Sequence, residues 1–186
     1  MTTQEIVRRV VDALEQLGVP YMIVGSFSSN AYGVARNTQD ADFVVQLEPT
    51  KLSQLTATLW PDFQLNPQVS FETVTATTRY VLDVPAVDFK VELFLLSDDP
   101  HDRARFERRR RLEVLGGPAY LPSPEDVVIT KLRWSQHSYR QKDLSDARDV
   151  SAVSGPQLDW GYIERWCDEH GTRKLLDDLR RSIGPF

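Results

Sequence analysis

The sequence predicts an α+β protein: a small mixed β-sheet with flanking helices, followed by a C-terminal helical bundle. Up to about residue 122, short apolar runs of strand type alternate with amphipathic stretches of helical period. From Ser123 onward the apolar spacing is helical throughout. With 186 residues, 41% hydrophobic and 26% charged, the chain is long enough for one core plus a small appended bundle and is neither disordered nor fibrous. The expected division is therefore a core over 1–122 and a helical region over 123–186 packed on it.

Each element has its own signal. Thr2 and Glu5 have the spacing of a capping box, and Ile6, Val10, Val11, Leu14 and Leu17 recur at helical period until Gly18 and Pro20 stop the helix. Tyr21 to Val24 is a short apolar strand ending at Gly25-Ser26, and a short helix is expected from Phe27 to about Tyr32, closed by Gly33. A strand introduced by Asp40-Ala41-Asp42 runs to Leu47, and 49–60 reads as an amphipathic helix through Leu52, Leu55 and Leu59. Residues 66–78 fit helix and strand equally. Tyr80 to Leu82 and Val87 to Leu96 read as strands, 101–110 as a helix, and 112–121 as one extended piece around Gly116-Gly117. Ser123-Pro124-Glu125-Asp126 combines an N-cap, a proline at the first helical position and an acid three residues on. Helices are expected at about 124–136, 141–153, 159–170 and 172–182.

The formal net charge of −5 excludes a uniformly basic nucleic-acid coat, though not a local basic patch. Arg103, Arg105, Arg108, Arg109, Arg110 and Arg111 make the strongest such run; it reads as a solvated helix face, with an RNA backbone contact as the competing reading. The single cysteine, Cys167, cannot form an internal disulfide, and no Cys/His cluster has zinc spacing. His101, His137 and His170 read as surface residues. No apolar run is long enough to span a bilayer and none has the form of a leader, so a cytoplasmic protein without membrane partners is expected.

Residues 25–45, GSFSSNAYGVARNTQDADFVV, carry the chemistry. A strand ends in Gly-Ser, a helix follows, and a second strand opens on two aspartates. Side chains two apart on a strand share a face, about 7 Å apart at Cα, and carboxylates so placed can grip a pair of divalent cations. Gly25 admits a phosphate close to the backbone, and the N–H groups opening the next helix favour its charge. A third acid is expected from the strand at 87–96, where Asp88, Lys90 and Glu92 alternate with Val87, Phe89, Val91 and Leu93.

This pattern resembles the signature of the DNA polymerase β-like nucleotidyltransferases. Its fuller form, Gly25-Ser26, Gly33, Arg36, Thr38, Asp40 and Asp42, is similar to the AbiEii/MenT-like (minimal) toxin nucleotidyltransferases. The resemblance implies transfer of a nucleoside monophosphate from an NTP to a hydroxyl, with Asp40, Asp42 and a third acid holding Mg²⁺ (or Mn²⁺). Glu92 stands where the family usually has that third aspartate, with Asp88 in reserve. The resemblance extends to Pro124–Leu132, where Lys131 corresponds to a triphosphate-binding lysine, and to RQKDLSDARD at 140–149, which carries Asp143 and Asp146. The implied nucleotide-binding set is Gly25, Ser26, Arg36, Lys131 and Asp146. An internal ion pair between Lys131 and Asp143 or Asp146 is an equal expectation for the lysine.

The same resemblance implies tRNA or a protein as acceptor and an antitoxin as partner. Two other functions stay open: a weakly active nucleotide-binding module working through a partner, suggested by Glu92, and an antibiotic-type small-molecule nucleotidyltransferase. The last is disfavoured on the expectation that its likeness is confined to the shared core.

Overall fold

The structure is a computed structural model and describes residues 1–138 and 141–184. Two compact units emerge, Met1–Gly25 with Asn37–Leu121, and Ser26–Arg36 with Pro122–Phe186. The second unit thus takes in a segment from the N-terminal half as well as the C-terminal helices.

In the first unit, α1 (Thr3–Gln16) opens with the capping box its sequence predicts. Thr2 Oγ1 accepts from the Glu5 amide at 3.2 Å and Glu5 Oε2 from the Thr2 amide at 2.7 Å. Its apolar stripe, Ile6, Val7, Val10, Val11 and Leu14, is buried. β1 (Tyr21–Val24) is buried along its whole length and pairs antiparallel with β2 (Asp40–Val45). After α3 (Pro49–Leu59) come β3 (Gln64–Leu65), β4 (Ser70–Glu72), β5 (Thr77–Val84) and β6 (Phe89–Leu95). The sheet order is β1-β2-β6-β5-β3, with β4 also on β5. β2 and β6 run parallel, and the other pairs described in this sheet run antiparallel.

The ambiguous stretch at 66–78 becomes β4 and the start of β5; a three-residue strand is too short for a period to show. α4 (Pro100–Glu107) places Phe106 in a cluster with Met22, Val24 and Val44. His101, expected at the surface, is only 2% exposed, because α4 turns that side of its first turn inward. The single extended piece expected at 112–121 is a hairpin, β7 (Arg110–Val114) and β8 (Gly117–Leu121). Its two-residue turn puts Leu115 and Gly116 at φ 55° and 77°, the left-handed conformation that matches strand twist in tight hairpins.

In the second unit, α2 (Gly25–Tyr32, all but its first residue) buries Ser26, Ser28 and Ser29. Tyr32 donates its hydroxyl to the Pro122 carbonyl at 2.9 Å, and a methyl on Gly33 would meet the Val150 amide nitrogen at 3.0 Å. These contacts tie 26–36 to α5 (Pro124–Ser138) and α6 (Gln141–Ser154). α5 is capped as expected, with Ser123 Oγ accepting from the Asp126 amide at 3.3 Å. α7 (Trp160–Glu169) and α8 (Arg173–Ile183) complete the bundle around Val128, Leu132, Val150, Ile163 and Leu176.

Candidate active site

Asp40 and Asp42 sit on one face of β2, both half-buried, while Ala41 and Phe43 between and beside them are fully buried on the other. The alternation follows from the pleat. Thr38 donates its hydroxyl to Asp40 Oδ1 at 2.6 Å, fixing that carboxylate at the strand entrance. Gly25, the residue after β1, has φ 61°, and a Cβ built on it would lie 1.9 Å from Asp42 Oδ2. The Asp42 carboxylate therefore occupies the space that any side chain at 25 would need. Both demands, left-handed backbone and close approach, select glycine here.

The parallel register of β2 and β6 sets Asp40 beside Lys90 and Asp42 beside Glu92. Adjacent strands lie about 4.8 Å apart, so Glu92 stands beside Asp42 on the neighbouring strand. Asp88 is not on this face: it lies exposed in the turn before β6, at φ 48°. Strand alternation starts only at Phe89, because the β5–β6 turn occupies Pro85–Asp88.

Sequence reasoning missed Arg79. It faces Phe94 across the β5–β6 ladder, diagonal to Glu92, and its Nη1 donates to Glu92 Oε2 at 2.9 Å. Its Nε donates to Ser70 Oγ at 2.8 Å. Period-two alternation puts Arg79 on a face with Val81 and Asp83, but only the hairpin register brings it to Glu92.

Among the described residues, no three Asp, Glu, His or Cys side chains stand close enough to hold a metal by themselves. The donor set still suits Mg²⁺, which takes oxygen ligands and is commonly bound by one or two carboxylates plus substrate phosphates. The bare α-carbon of Gly25 gives the half-buried Asp42 carboxylate its room against the backbone.

The cationic expectations fall in the second unit. Arg36 grips Asp146 with two bonds, Nε to Oδ1 at 2.8 Å and Nη2 to Oδ2 at 2.9 Å, and Nη2 also donates to Ser26 Oγ at 2.9 Å. Asn30 pins the Arg36 backbone, accepting from its N–H at 3.1 Å and donating to its carbonyl at 2.8 Å. Lys131, 8% exposed, pairs with Asp143 at 3.0 Å and Asp146 at 2.7 Å. The internal pairing is thus the arrangement present. Arg140, which opens the 140–149 motif, lies outside the described residues.

Burial alone would raise the Asp146 carboxyl, but hydrogen bonds from Arg36 and Lys131, together with their charges, hold it below the usual carboxylate range. Burial likewise opposes, and the Arg105 charge and Ser97 hydrogen bonds overcome it, at Asp102, which is also held low. A folded-state value below the unfolded one contributes stability that is complete above the unfolded value of about 3.9 and is lost as pH falls through the folded value. Urea midpoints are expected to fall steadily below about pH 5, and Asp146→Asn to show a shallower decline over the same range.

The arginine run is largely committed internally. Arg105 is buried against Asp102, and Arg109 stacks over Phe106, with its guanidinium carbon 4.2 Å from the ring centre. Arg103 pairs with Asp98, and Arg111 approaches Glu15 at 3.7 Å. Arg103, Arg108, Arg110 and Arg111 are exposed.

No protein-family model matches the chain, and no curated protein matches it. Among solved structures, it is similar to ANT(2'')-Ia in complex with adenylyl-2''-tobramycin, with 13% identity and a TM-score of 0.62 over 94% of this chain and 99% of that one. An antigenic nucleotidyltransferase-like protein from Paracoccidioides brasiliensis matches at 20% identity and TM-score 0.56, over 95% of this chain and 90% of that one. The lincosamide antibiotic adenylyltransferase LnuA, bound to lincomycin, matches at 12% and 0.54, over 82% and 98%. The likeness to antibiotic-modifying enzymes therefore spans most of both chains rather than a shared core alone. Backbone arrangement outlasts side-chain identity, so sequence comparison sees less of it. No helix among the described residues is long and apolar enough to cross a membrane. The chain has the mixed α+β nucleotidyltransferase fold.

Proposed function

We propose that this protein transfers a nucleoside monophosphate from an NTP to a hydroxyl acceptor. The observation that carries the reading is the pair Asp40 and Asp42 on one face of β2, the second held against the bare α-carbon of Gly25. Asp40, Asp42 and Glu92 are the residues that would hold Mg²⁺ or Mn²⁺. Bound there, such ions supply charge neutralisation and in-line alignment for a triphosphate. Gly25 leaves room for the Asp42 carboxylate against the backbone, and Arg36, with Ser26 beside its guanidinium, is assigned to nucleotide phosphate. Asp146 and Lys131 keep Arg36 oriented rather than leaving it to swing. Glu92 takes the acceptor hydroxyl's proton as that oxygen bonds the α-phosphorus and the bond to pyrophosphate breaks.

The resemblance of residues 25–45 to AbiEii/MenT-like toxins supports a tRNA or protein hydroxyl as acceptor, with an antitoxin as partner. A small hydroxyl-bearing molecule is the second reading, favoured by the near-complete overlap with ANT(2'')-Ia. Incubation with Mg²⁺ and each labelled NTP, followed by fractionation of a cell extract into RNA, protein and small molecules, separates these acceptors. Added aminoglycoside and lincosamide test the second reading directly. Label in one fraction that disappears in Asp40→Ala/Asp42→Ala is the expected result. NTP binding without any transfer would instead leave a nucleotide-binding module, and label that survives the double substitution overturns the assigned site.

A further inference from the structure

We infer that Arg79 is a latch on the third carboxylate: it pairs with Glu92 and competes with a divalent cation for it. This rests on the reading of Asp40 and Asp42 as the metal acids. Glu92 lies beside Asp42 in the strand register, yet its Oε2 accepts from Arg79 Nη1 at 2.9 Å. Arg79 is itself held from two other sides, by Ser70 Oγ at 2.8 Å and by the Phe94 ring, whose centre is 5.9 Å from its guanidinium carbon. A guanidinium so braced does not follow a carboxylate that moves. Glu92 must leave it to serve a cation. The extra methylene of glutamate over aspartate gives the reach to choose between the two partners.

Charge balance says when the exchange occurs. Glu92 lies beside Asp42 in the strand register, and an arginine paired with Glu92 relieves the repulsion between such neighbouring carboxylates. A bare dication would have to displace the arginine and neutralise the acids alone. A cation arriving with a triphosphate brings its own oxygen ligands, so less is asked of Glu92. Arg79 is thus a positioning residue that makes metal uptake depend on nucleotide. It acts only through Glu92, which makes the inference separable from a general effect of positive charge.

The test is Mn²⁺ binding to nucleotide-free protein, followed by the loss of the free-ion electron paramagnetic resonance signal at about 0.15 M salt, where fields from exposed charges are screened beyond about 8 Å. Arg79→Gln is expected to tighten Mn²⁺ about tenfold, the scale on which groups behind metal ligands tune affinity. In a Glu92→Gln background the same change is expected to alter affinity less than about twofold, as a double-mutant cycle requires of a residue acting through its partner. Arg79→Met, which keeps the stem on Phe94, replaces Arg79→Gln if the latter fails to fold. No tightening, weaker binding, or equal tightening in both backgrounds overturns the latch. If Asp42→Asn leaves Mn²⁺ binding unchanged, the metal site itself is overturned. Binding that needs Asp42 but ignores Arg79 sinks the latch and leaves the proposed function standing.

Discussion

Asp42→Asn is expected to slow nucleotidyl transfer on the order of 10³-fold while leaving the fold in place. Asparagine has nearly the same shape, so the space beside Gly25 stays filled and β2 keeps its register with β1 and β6. What goes is one negative charge at the position assigned to the metal, and loss of a preorganised electrostatic group at a reacting centre costs about 10²–10³ in rate. The upper end is expected here because the group would hold the ion and not merely donate a hydrogen bond. The measurement is single-turnover transfer with labelled NTP, with circular dichroism confirming the fold. Asp40→Asn should fall less steeply in metal affinity if Thr38, which donates to Asp40 Oδ1 at 2.6 Å, keeps the amide oxygen aimed as before. A rate within about threefold of wild type for Asp42→Asn would remove this carboxylate from the mechanism.

The largest stability effect is expected from Lys131→Met. Lys131 is buried and pairs with two buried acids, Asp143 and Asp146, which are 4% and 5% exposed. Removing one partner of a buried ion pair leaves uncompensated charge, at a cost of about 3–5 kcal/mol. Arg36 still grips Asp146 by two bonds, so that acid keeps a cationic partner. Adding Asp143→Leu should therefore recover a large part of the loss, since replacing both partners by apolar groups is often neutral. Denaturant unfolding at pH 7 of the two variants and wild type checks this. If Lys131→Met costs under about 1 kcal/mol, the lysine is not balancing buried charge and a ligand-binding role alone would account for it.

How far the site was legible depends on which contacts were local. The Asp40/Asp42 pair follows from a period of two, and Gly25 from the abrupt end of β1, so both could be read from adjacent residues. The capping signals at Thr2/Glu5 and Ser123/Asp126 were legible for the same reason and are present as expected. The turn ahead of β6 was not: Pro85 marked an approach, but the exposed conformation of Asp88 and the strand's start at Phe89 depend on how the chain reverses before β6. Arg79 was invisible because its partner lies 13 residues away on a strand whose register only that turn decides. The arginine run misled in part, since Arg105 and Arg109 look solvent-facing in sequence and are taken up by Asp102 and Phe106.

By itself, the sequence determined the capped first helix, the paired aspartates at the start of a strand, the glycine at the end of β1 and the helical character of the C-terminal region. Each of these is set by spacing within a few residues, where backbone geometry leaves little choice. Tertiary structure alone decided which distant groups meet: the parallel β2–β6 pairing that sets Glu92 beside Asp42, the Arg79 bond that occupies it, and the joining of residues 26–36 to the C-terminal helices through Arg36 and Asp146. Those contacts form because buried charges must find partners and strands must find ladders, and both requirements are met across the fold rather than along the chain.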